Sequence, residues 1–104
     1  MNRMEQMSGH LIETIEAIVA SKEVKKFVVG ITRNPRSRQG NYRYVDIPYF
    51  AALAFNLELP KARELERLVR KGISDHPKNK HRRQFDYQPG GGRSGDQCLY
   101  VAWW

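Results

Sequence analysis

A single cysteine, Cys98, leaves this chain no internal disulfide to close. Its three histidines, His10, His76 and His81, are scattered and do not make the ligand spacing of a structural zinc site. Both features suit a reducing, cytoplasmic setting. No apolar run approaches the ~18 residues of a membrane span. Near the N-terminus, Glu13 and Glu16 interrupt Leu11 to Ala20, which argues against an exported leader and against a membrane partner. No internal repeat is visible, and 104 residues are enough for one modest core but not for two. The expectation is one domain over residues 1–104.

Acidic residues are also scarce: 11 Asp and Glu stand against 18 Lys and Arg, a formal charge of +7. That excess favours a polyanionic partner through phosphate neutralisation and counterion release, and nucleic acid is the first suspect. Charge alone is a hint, since many small basic proteins bind no particular anion. Hydrophobic content of 40% with 11% aromatics is that of a folded chain.

Residues 1–24 read as a helical segment: Ser8 is a candidate cap, and Leu11, Ile12, Ile15, Ile18 and Val19 recur on one face. Lys25 to Ile31 reads as a buried strand rich in β-branched residues. Asn34-Pro35 ends it, with Pro35 suited to the first turn of a short helix carrying Arg36, Arg38 and Tyr42. Aromatic Tyr49, Phe50 and Phe55 tilt the apolar run from Ile47 to Leu57 towards strand. Pro60 opens and Gly72 closes the clearest helix, with Ala62, Leu65, Val69 and Ile73 on one face. A basic, glycine-rich stretch over 74–97 precedes a terminal strand from Leu99 to Trp103. The expected class is therefore α+β, with a small, mostly antiparallel three-stranded sheet flanked by helices.

Three features carry possible chemistry. Gly30 in a buried strand suggests the close approach of a backbone or ligand, and the basic helix after it places Arg36 and Arg38 where an anion can sit; a glycine that eases packing beside solvated arginines is the plainer reading. Glu66 falls on the apolar helix face beside Ala62, Val69 and Ile73, so at the rim of the core it must be solvated, paired or bound to a cation. The stretch from Asn79 to Arg93 interleaves Lys80, Arg82, Arg83 and Arg93 with Phe85 and Tyr87, then adds Gly90 to Gly92. Such a loop can contact phosphates and stack bases, and it is also what an ordinary surface loop looks like.

In order and spacing these features resemble the GIY-YIG nuclease superfamily over roughly Phe27 to Asn79. The family's second motif is a strand ending in a YIG-like triplet, then Thr, a polar turn and an arginine eight residues past the glycine. Gly30, Thr32, Asn34, Pro35 and Arg38 fall in that register, and Tyr42 stands four residues on, where the family carries His or Tyr. The helix pattern Ala-x-x-Leu-Glu-x-x-Leu is met by Ala62, Leu65, Glu66 and Val69, and Asn79 fits the later asparagine. The chain departs from the family where Val28-Val29-Gly30 replaces the tyrosine-bearing triplet and where no GIY strand precedes it. The terminal segment CLYVAWW resembles that missing strand, which would bring Tyr100 into the sheet beside Val28 in a permuted arrangement.

The resemblance implies a Mg- or Mn-dependent endonuclease acting on DNA ahead of RNA. Glu66 would bind the metal, Arg38 would stabilise the phosphate, Tyr42 or Tyr100 would handle protons, and Gly30 and Asn79 would support them. Thr32, Arg36, Arg43, Lys80, Arg82, Arg83 and Arg93 would line the nucleic acid. Two alternatives stand beside it: a module that binds nucleic acid without cutting, and a small protein-binding or inhibitory protein with Trp103 and Trp104 as exposed anchors.

Overall fold

Asn2 opens the first helix, α1 (Arg3–Val19), by accepting the Glu5 backbone N–H on its side chain at 2.8 Å. The computed structural model describes residues 2–83 and 95–104. In it Ser8 is not the cap that its sequence position suggested; it lies buried inside α1, and its hydroxyl donates to the Glu5 carbonyl. The helix starts earlier because Met4 already packs against the core one turn before Ser8.

β1 (Phe27–Thr32) follows, shifted by two residues from its expected start. Lys25 and Lys26 instead donate their backbone N–H groups to the Trp104 carbonyl. Asn34 caps α2 (Pro35–Tyr44), accepting the Ser37 N–H, with Pro35 in the first turn, where its missing N–H does no harm. β2 (Tyr49–Leu57) and α3 (Leu59–Ile73) come next, and β3 (Gln97–Trp103) completes the sheet.

The sheet order is β1-β3-β2, so the last strand in the chain occupies the middle and pairs antiparallel with both others. Its two faces are built differently. Phe27, Val29, Leu99 and Val101 join Leu11, Ile15, Leu65 and Val69 of α1 and α3 in the main core. On the opposite face, Val28 and Ala102 pack with Ile47, Tyr42, Phe50 and Trp104 under α2. The period-two alternation of the strands is what separates these two layers.

Gly72 does not end α3. It lies within the helix, and a Cβ there would run into the side chain of Ile12, so the glycine lets α1 and α3 pack closely. The chain after α3 is tied back to the start of β1: Phe27 donates to the Lys78 carbonyl and accepts from Lys80 N–H. Lys78 itself reaches the C-terminal end of α1, its ammonium donating to the Val19 and Ser21 carbonyls at 2.6 and 2.8 Å. None of the helices among the described residues is long and apolar enough to cross a membrane.

Candidate active site

Gly30 stands directly opposite Tyr100 in the β1-β3 ladder. The approach that the glycine permits is not that of a backbone or ligand but of a side chain: a Cβ at Gly30 would lie 2.5 Å from Tyr100 Oη and 2.8 Å from Cζ. The phenol ring therefore lies across the bare Cα, which no other residue would allow without movement. Ring stacking holds it from the other side, because Phe50 of β2 lies nearly parallel to Tyr100 with centroids 4.9 Å apart.

From α2, Tyr42 meets the same phenol, with the two hydroxyl oxygens 2.8 Å apart. Arg38 is one helical turn before Tyr42 and so shares its side of α2. Glu66 enters from α3, and only 1% of it is exposed: the helical spacing located it on the apolar face, and the structure buries it there rather than leaving it at the rim. Tyr100, itself 4% exposed, senses both charged groups. Burial pushes its phenol far above the ordinary tyrosine range, the bond to Tyr42 and the Glu66 carboxylate push in the same direction, and Arg38 offsets a part. Burial thus favours the neutral phenol of Tyr100, whose hydroxyl can donate or accept a hydrogen bond.

That shift has a sign. A phenol whose folded-state pKa is raised contributes stability below tyrosine's ordinary value of 10.0 that is lost as pH rises above it, because the unfolded chain then gives up a proton the folded chain retains. Tyr100→Phe should consequently flatten the fall in stability above about pH 10. It should also leave the amplitude of the folded protein's alkaline absorbance titration unchanged. An amplitude smaller by one phenol would show that Tyr100 ionises in the folded state.

Tyr42 of α2 and Tyr100 of β3 thus meet beside Gly30, with Arg38 of α2 and Glu66 of α3 near enough to act electrostatically on the Tyr100 phenol. No family model, curated protein or solved structure matches this chain. What the site can do is then read from its groups: a cationic arginine, a buried carboxylate and a hydrogen-bonded pair of phenols can hold an anion and relay a proton next to it.

The other residues singled out in the sequence are placed elsewhere or otherwise engaged. Thr32 is buried, and its hydroxyl accepts the Asn34 N–H, which builds the turn into α2. Asn79 donates to the Ile73 carbonyl and accepts from His81 N–H, so it fastens the segment after α3 beside Phe27. Arg82 and Arg83 both bond Asp75, whose carboxyl is held below its usual value chiefly by Arg83. Lys80 lies over the Trp104 ring at 5.8 Å. Arg36 and Arg43 are exposed on α2. Arg93, Phe85, Tyr87 and Gly90 to Gly92 fall outside the described residues.

The terminal tryptophans are not free anchors. Trp103 stacks on Tyr49 with centroids 5.7 Å apart and packs on the main core, while Trp104 packs under α2. Phe50 is the contributor that sequence reasoning missed. Its place in a strand was legible from the aromatics of the run, but its contact with Tyr100 depends on β3 being the middle strand.

Proposed function

We propose that the protein is a divalent-metal-dependent phosphodiesterase acting on nucleic acid. The observation that supports this reading most is the Tyr42–Tyr100 hydroxyl pair, with Tyr100 delivered by a strand distant in sequence and seated on a glycine that fits it, within electrostatic reach of Arg38 and the buried Glu66.

The donor set suits a hard cation. Among the described residues no group of three or more His, Cys, Asp and Glu side chains gathers into a metal cage, so a closed zinc-type site is not available there. A single carboxylate, Glu66, with water and substrate phosphate completing the shell, is the mode in which Mg is commonly held, and Mn is an alternative. Such an ion supplies Lewis-acid polarisation of a phosphoryl oxygen and a more acidic bound water.

The chain's own groups then divide the work. Arg38 bears the compensating charge for a phosphate and can bond two of its oxygens at once. Tyr42, half-exposed, is the phenol that solvent and substrate can reach, and Tyr100 behind it fixes the direction of its hydroxyl through the 2.8 Å bond. Tyr42 Oη can hydrogen-bond a water or a phosphate oxygen while its bond to Tyr100 sets the direction of the hydroxyl.

Incubation of supercoiled plasmid and of single-stranded RNA with Mg or Mn tests the reading. Metal-dependent nicking is expected for the wild type, with Arg38→Ala slower by on the order of 10²-fold. Wild-type protein that cuts neither substrate with either metal would remove the proposal.

A further inference from the structure

We infer that the solvent-facing side of α2, with Tyr44 and Val45 at its tip, is a docking surface for single-stranded nucleic acid, Tyr44 stacking an unpaired base. The inference builds on the proposed nuclease reading but uses residues outside the catalytic group.

Helical spacing sends α2 in two directions. Pro35, Gln39 and Tyr42 form its partly covered side, while Arg36, Gly40, Arg43 and Tyr44 face solvent. Tyr44 is 90% exposed and Val45 59%, two consecutive apolar side chains standing clear of the protein. Isolated surface hydrophobics are ordinary, but this pair is held in place. Val45 and Ile47 both donate to the Tyr42 carbonyl, Asp46 donates to that of Arg43, and Asp46 takes a left-handed φ of 65° that reverses the chain. Buried Ile47 anchors the far side of the turn. The tip is thus pre-organised, which lowers the ordering cost of binding.

Charge identifies the occupant. The helix PRSRQGNYRY contains three arginines and no carboxylate, and neither Arg36 nor Arg43 takes part in the ion pairs among the described residues. Asp46 is the one acidic residue in the chain between Pro35 and Leu57. Cationic side chains beside an exposed aromatic ring match a polyanion with π faces, the combination used for strands without base pairing. A duplex would have to be unstacked before Tyr44 could make the same contact. Along the helix axis Tyr44 stands about 9 Å beyond Arg38 and is turned from it by about 120°, so the docking surface is separate from the arginine of the candidate site.

The test uses a short fluorescent oligothymidylate and a mixed-sequence duplex of equal length, with binding followed by anisotropy at low and moderate salt. Tyr44→Ala should weaken oligothymidylate binding by about tenfold. Tyr44→Phe should keep it, and duplex binding should change little. Arg43→Ala should weaken binding to both probes and lower the salt slope. Because the ring is exposed, thermal midpoints should not move in any variant. Unchanged oligothymidylate binding in Tyr44→Ala, or an equal loss for strand and duplex, would overturn the inference. A strand-selective Tyr44 effect in a protein that never cuts would uphold it while the nuclease reading fails.

Discussion

Gly30→Ala should lower the thermal midpoint by roughly 5 to 20 °C, the consequence of about 1–3 kcal/mol of overpacking in a domain of this size. The added methyl would meet Tyr100 at Oη, Cζ and Cε2, at 2.5, 2.8 and 3.0 Å. That ring has no easy retreat, because Phe50 is stacked against it and Tyr42 is bonded to its hydroxyl. The variant must either move β3 or turn the phenol away from the site. Tyr100→Phe in the Gly30→Ala background should recover only part of the loss, since it removes Oη but leaves Cζ and Cε2 in place. Tyr100→Leu in the same background should recover more of the Gly30→Ala penalty. The cycle of single and double variants, followed by thermal unfolding, isolates this contact, and strictly additive effects would mean that the ring does not rest on Gly30.

Glu66→Gln should remove metal-dependent cleavage, by on the order of 10²-fold or more, while the chain remains folded. Glutamine preserves the shape of a side chain that is 1% exposed, so the substitution opens no cavity in α3's buried face. What changes is the charge, which is the property that a divalent ion needs. Calorimetric titration with Mn provides a readout independent of turnover: wild-type protein should bind it and Glu66→Gln should not. Equal Mn binding by both proteins would detach Glu66 from the metal, and wild-type cleavage by the variant would detach it from the reaction.

Much of the fold was legible because its signals are local. Asn34-Pro35, the spacing of Ala62, Leu65, Val69 and Ile73, and the β-branched run after Lys26 each mark an element through its own residues. Helix ends were less legible: Ser8 and Gly72 both have the right chemistry for a terminus, yet each lies inside a helix because a partner elsewhere, the main core in one case and Ile12 in the other, decides. The site divides along the same line. Arg38 and Tyr42 follow from spacing on one helix; Tyr100 was expected in the sheet beside Val28, and the ladder sets it opposite Gly30 instead, where β3 as the middle strand lets it meet Tyr42. Glu66 was placed on the correct face, but a charged residue is expected to reach for water, and its burial is a property of the assembled layers. Lys78, a surface cation by composition, works as a tether to α1.

The position of β3 also sets the order in which the protein can become stable during synthesis. β1 and β2 do not pair with each other; among the described strands each pairs with β3, which the ribosome makes after both. Translation at ~5–20 residues per second separates these events by seconds, during which YFAALAFNL is an uncharged, aggregation-prone segment without its partner. The nascent chain therefore passes through a vulnerable interval in which a holdase chaperone would be of most use, and a ribosome paused before Cys98 would hold a polypeptide with every helix encoded and no sheet.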